Sequence, residues 1–206
     1  MQTGEYDGAA FKEPRSHPWT DARSNAACRY YDFTAAPALI RTELEDFVPW
    51  AQYPAIESFF RLLEWLNSDA SPFESNDCEF SGPAPNEHPG IAKSLQCTGR
   101  VMLLFSTLGR NTAPGEIEQL STELHRQLAQ LDPEFQYGMI GTTRIPVRYL
   151  ALKAARQPSL GAQLMLSFWA WGDDAAETMS NLERLIVNLG SGLRGLAESP
   201  ASGSHV

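Results

Sequence analysis

Apolar residues recur along this chain at two spacings, one helical and one extended. Near the C-terminus Met179, Leu182, Ile186, Leu189 and Leu193 return every three or four positions, the period of one face of an α-helix. Gly172-Asp173-Asp174 opens that run; either aspartate can cap it, and Glu177 stands three residues beyond Asp174 as in a capping box. A second stripe joins Ile117, Leu120, Leu124, Leu128 and Leu131, with Asn111 or Thr112 as its cap and Asp132-Pro133 as its stop. Upstream, Leu39, Ile40, Leu44 and Phe47 lie between Pro37 and Pro49. Ile56, Phe59, Phe60, Leu62, Leu63, Trp65 and Leu66 follow Pro54. This last run is apolar around most of its circumference, so the helix it predicts is buried on several sides or docks a partner.

Extended patterns fill the rest. Residues 101–105 (VMLLF) form a short continuous apolar run suited to a strand buried on both faces. Residues 145–152 alternate, and residues 164–171 (LMLSFWAW) are strongly β-prone; Pro158 and Gly161 between them predict a hairpin connection. From residue 95 the order is strand, helix, strand, strand, helix, which is most of the split βαβ arrangement of ferredoxin-like domains. The fold expected is α+β: an antiparallel or mixed sheet with helices on one face, plus an N-terminal helical lobe over 36–68. A fourth strand has one visible source, the aromatic stretch 28–33 (CRYYDF). Residues 1–25, with Gly4, Gly8, Pro14 and Pro18 and no periodicity, predict a flexible arm. Residues 71–90 hold four prolines and two glycines, and predict a long polar loop reaching to 94. Residues 26–197 then form one domain with its sheet-and-helix core over 95–197, and 198–206 form a polar, disordered tail.

Charge and composition narrow the function. The 206 residues carry a formal net charge of −9, which argues against a nucleic-acid binder, since phosphate contacts need clustered Lys and Arg. No run approaches the ~18 apolar residues of a membrane span. Three cysteines, an odd number, and an N-terminus without a signal pattern predict a cytoplasmic protein with free thiols. Cys-x-x-Cys and His-x-x-x-His spacings are absent, as are phosphate-cradling glycine loops, so neither a metal nor a cofactor is expected.

Two sets of residues carry candidate chemistry. Cys78, His88 and Asp77 supply the types of a thiol nucleophile, its base and an orienting acid; on that reading the chain is a small hydrolase or acyltransferase. Three such types inside a polar loop arise cheaply, and Asn76 and Asp77 also suit side-chain turn caps, the reading favoured. His125, at the edge of a leucine stripe, reads as a boundary side chain. The second set serves binding. Glu74, Asp77, Glu79 and Glu87 offer carboxylates to a basic partner, with Phe73 and Phe80 as apolar anchors. Trp169 and Trp171 share one face of their strand, which needs cover from the N-terminal helical lobe or from another molecule. The leading expectation is therefore a non-catalytic protein-binding protein, either an acidic immunity-type inhibitor of a basic toxin or an accessory subunit holding a peptide or enzyme. A structural subunit of a larger assembly is a third reading.

Overall fold

The computed structural model of the chain describes residues 1–6, 8, 13–18, 32–154 and 157–198. Cys28, most of the 28–33 stretch and residues 199–206 lie outside them. Two short strands, β1 (Gln2–Glu5) and β2 (Arg15–His17), precede α1 (Leu39–Thr42), a 3₁₀ helix (Glu45–Trp50) and α2 (Pro54–Leu66). Then come β3 (Phe73–Pro85), β4 (Leu95–Phe105), a 3₁₀ turn (Leu108–Thr112), α3 (Glu116–Leu131), β5 (Gly138–Ala154), β6 (Gln157–Gly172) and α4 (Ala175–Glu198). The strands form one six-stranded mixed sheet in the order β1-β5-β6-β4-β3, with β2 also on β5. β1 and β2 run parallel to β5, and the other pairings are antiparallel. The helix α3 connects β4 to β5, and β6 fills the place between those two strands.

Alternation divides each strand between two faces. On β6, Leu164, Leu166, Phe168 and Ala170 join the large core beneath α2, α3 and α4, together with Val101 and Leu103 of β4 and Ile140 of β5. Gln163, Met165, Ser167, Trp169 and Trp171 point to the second face. A smaller cluster there unites Leu104, Val147 and Tyr149, flanked by Leu108 and Leu152.

Four expectations are corrected. Residues 36–68 do not form a lobe of their own. The α2 helix packs on α4, and its Phe59 ring meets Phe168 of β6 at 5.7 Å, so its nearly all-round apolar surface is used inside the helix layer. Residues 71–94 are mostly not loop: 73–85 make an edge strand. Its inward residues are Phe73, Ser75, Cys78 and Phe80, and a bulge at Asn76 breaks the alternation. The missing fourth strand of the core is therefore β3; of the 28–33 stretch the described residues include only Asp32 and Phe33, which lie in a turn. Within 1–25, residues 2–5 and 15–17 are ordered as edge strands on β5. The hydrogen-bonding template there comes from β5, so no periodicity of their own announces them.

If α2 belongs to the one core, Phe59→Ala should cost about 3–5 kcal/mol and shift far-UV circular dichroism and tryptophan fluorescence transitions together. Separate transitions in urea would restore an independent helical lobe.

Candidate functional site

One polar grouping lies where the two edges of the sheet meet over its second face. Arg15 of β2 donates to Asp77 of β3 at 3.0 Å, and His17 Nε2 lies 3.6 Å from Glu74 Oε1. Behind them His17 packs its ring on Tyr149 at 5.5 Å, and the Tyr149 hydroxyl donates to the Ala162 carbonyl at 2.8 Å. Asn76, placed on the bulge, reaches across to Gln163 and donates to Oε1 at 3.0 Å; both side chains are buried. Farther along β3, Arg100 of β4 lies 2.7 Å from Glu79 and 3.9 Å from Asp77. β2, β3 and β5 are distant in sequence, and only the curl of the sheet brings these groups together.

Burial shapes their proton affinities. Desolvation, reinforced by the negative charge of Asp32, pushes the Glu74 carboxyl up to about 7. Desolvation also lowers His17, with Asp32 opposing it. The Tyr149 hydroxyl is pushed up, chiefly by burial and then by Glu74. Near neutral pH the cluster therefore favours an uncharged imidazole beside a carboxyl close to half-protonation. Such a pair has the proton affinities of general acid–base catalysts, but among the described residues Arg15 is paired with Asp77 and Tyr149 with the Ala162 carbonyl, and Cys78 turns to the other side of the sheet.

A second network joins three elements on the helix side. Thr142 of β5 shares hydrogen bonds with His125 Nε2 at 3.0 Å and with the Ser121 hydroxyl at 2.9 Å, and Ser121 donates to Glu5 of β1 at 3.1 Å. Hydroxyl, imidazole and carboxylate are the parts of a nucleophilic relay. Both hydroxyls, however, are closed off under α3: Thr142 is 2% and Ser121 is 5% exposed. The network ties β1 and α3 to β5. His125 was legible only as a boundary residue, because the partners Glu5 and Thr142 come from strands that sequence spacing does not connect.

The trio Cys78, His88 and Asp77 is not brought together. Cys78 turns toward the helix-side core, and burial, then Asp77 and Asp46, push its thiol far up. Asp77 faces the other way, toward Arg15. His88 stands edge-on to Trp171, 5.7 Å between centroids. Cys78 pairs opposite Val101 and Trp171 opposite Gln96, so five residues of β4, roughly 16 Å, separate the two ends. The turn holding His88 is fixed by Asn86, which donates to the carbonyls of Ile91 and Lys93 and accepts from the His88 amide.

The expected partner-binding residues divide. Phe73 and Phe80 are buried at 3% and 5% exposure, stacked near Phe105 and Phe47; they are core residues, not free anchors. Trp171 is fully buried, and Trp169 is half-covered by Tyr6 at 5.8 Å. The tryptophan face is thus covered from within the chain, by the N-terminal strand and the turn at 86–94, and not by the helices of 36–68. Glu74 and Asp77 are half-buried in the edge cluster, whereas Glu79 and Glu87 remain exposed. Among the described residues no group of three or more His, Cys, Asp or Glu is placed to hold a metal ion. No family model, no curated protein and no solved structure matches the chain.

Two outcomes check this geometry. A neutral Glu74 contributes stability that is complete below its unfolded pKa near 4.5 and is lost as pH rises through about 7. His17 works in the opposite direction: its contribution is present above 6.5 and lost as pH falls through its lowered value. Glu74→Gln should therefore raise stability at pH 8 by on the order of 1 kcal/mol, a value discounted because water still reaches the carboxyl, and bring no gain at pH 4. Equal unfolding midpoints of E74Q and wild type at pH 8 would remove the buried carboxyl from the account. For the thiols, iodoacetamide at pH 7 followed by peptide mapping should find Cys78 and Cys97 unmodified in the folded chain, with no change in His88→Ala. Fast labelling of Cys78 that disappears in H88A would reinstate the nucleophile.

Proposed function

We propose that the chain is a non-catalytic protein-binding protein whose partner is basic: an acidic inhibitor of a basic toxin, or an accessory subunit that holds a basic peptide or enzyme. The reading places it in the reducing cytoplasm, where thiols such as Cys78 and Cys97 stay free. Among the described residues no helix is long and apolar enough to cross a membrane.

One observation carries this reading. Among the described residues most positive charges are turned onto the chain's own carboxylates: Arg41 onto Glu57 and Glu64, Lys93 onto Asp173 and Glu177, Arg100 onto Glu79, Arg110 onto Glu116, and Arg184 onto Asp132. With a net charge of −9, the surplus is carboxylate, and it sits on exposed side chains such as Glu45, Asp46, Asp69 and Glu87. A field of one sign speeds the capture of oppositely charged partners and rejects like-charged ones. The enzyme reading has less behind it, because the candidate thiol is half-buried against the core, away from His88, and the hydroxyl relay is closed to solvent.

The full chain, immobilised and exposed to its native lysate at low salt, should retain a stoichiometric partner of basic isoelectric point. That partner's association rate should fall steeply as salt rises, because long-range steering is screened within roughly 8 Å at physiological ionic strength. Retention only of acidic proteins, or a salt-independent association rate, would remove the basis of the proposal.

A further inference from the structure

We propose that the ridge made by the 3₁₀ helix Glu45–Trp50 and the start of α2 is the docking surface, and that it takes a basic protein surface presenting Lys or Arg around an apolar recess. This rests on the reading of the chain as an acidic binding protein and gives that reading a place.

The ridge concentrates apolar groups that the fold leaves outside. Val48 is 64% exposed, the highest but one among the large exposed hydrophobics of the described residues. Pro49 beside it is also exposed, while Trp50 and Tyr53 are half-buried with ring centroids 6.3 Å apart. Aromatic residues of this kind are the usual energetic centres of protein interfaces.

The ridge is also held rigidly. Phe47 drops from the same 3₁₀ turn into the core, stacking on Phe59 at 4.8 Å and on Phe80 at 5.1 Å. Trp50 lies on Gly82 of β3, where an added Cβ would fall 2.0 Å from the indole. Any larger residue at 82 would lift the ring. A preformed aromatic surface loses little conformational entropy on binding.

Charge selects the occupant. Glu45 and Asp46 are exposed and make no ion pair among the described residues, while Arg41 and Arg61 on the adjoining helices are held by Glu57 and Glu64. Asp46 lies close enough to β3 to raise the Cys78 thiol, so the acidic rim borders the strand edge. A second copy of the chain would set these carboxylates against themselves in a two-fold contact. Strand addition to β3 is blunted by its irregular register after Ser75 and Ser81 and by Pro83 and Pro85. Side chains, not backbone, are what the ridge offers.

The test uses the full chain as bait for a displayed library of random peptides, with the selected peptides then measured on wild type, Val48→Asp and the double variant Glu45→Lys/Asp46→Lys. All three positions are exposed, and unchanged unfolding midpoints would certify the folds. The selection should return peptides rich in Lys and Arg with an apolar residue among them. Their Kd should rise about tenfold or more in each variant, and the lysine variant should also lose most of its salt dependence. Basic peptides that bind either variant as well as wild type would overturn the ridge while leaving the acidic-binder reading standing. Peptides without basic character, or no enrichment, would overturn both.

Discussion

Everything in this fold is placed relative to β6, which is paired on both edges and covered by helices on one face. Its even-numbered residues, Leu164 to Ala170, must lie under the helices, and its odd-numbered residues, including Trp169 and Trp171, must lie on the second face. A slip of one residue would drive the tryptophans into the helix-side core and expel Phe168. The neighbouring strand is shaped to that register: Gly99 of β4 lies opposite Phe168, and a Cβ there would fall 2.3 Å from its ring. Phe59 of α2 then rests on Phe168, which seats the helix layer on the same ring.

The second face has a different problem, since no α-helix among the described residues covers it and the 3₁₀ turn Leu108–Thr112 reaches only its corner around Leu104, Val147 and Tyr149. The chain's own beginning supplies part of the cover. Tyr6 lies against Gly141 and Trp169, and Arg15 and His17 span from the β5 edge to the β3 edge. The sheet is thereby curled until its two edges meet through side chains. Joining them this way buries a carboxyl and an imidazole, and the opposed pKa shifts of Glu74 and His17 are the electrostatic consequence. Perturbed proton affinities are common at catalytic sites, but structural clusters generate them too. Here the seam between the edges accounts for them.

How much of this was legible in the sequence follows from where each pattern originates. α3, α4 and β6 carry their own periodicity, and the succession of strand, helix, strand, strand, helix from residue 95 is present as read. β3 was illegible because its outward residues are Glu74, Asp77 and Glu79 and a bulge at Asn76 shifts the inward set by one. A polar strand with one extra residue looks like loop. β1 and β2 were illegible because four and three residues carry no period, and their pairing is dictated by β5. The same cause hid the partners of His125 and the seam at Glu74, since each contact crosses strands far apart in sequence. Phe73 and Phe80 were misplaced along with their strand: once 73–85 alternates, both rings must face the helices.

These corrections change where binding can reside. An anchor has to be apolar, exposed and supported from beneath, and the β3 phenylalanines satisfy only the last condition, because they are themselves the support. Phe80 lies under Phe47, and Phe47 carries the turn that displays Val48 and Trp50. The strand whose composition suggests an acidic binding loop thus contributes indirectly on the proposed reading: Phe80 and Gly82 hold the ridge. This division also separates two effects that a mutation at 80 would otherwise confuse. Loss of the Phe80 ring undermines the core and the ridge together, whereas a change at Val48 touches the ridge alone.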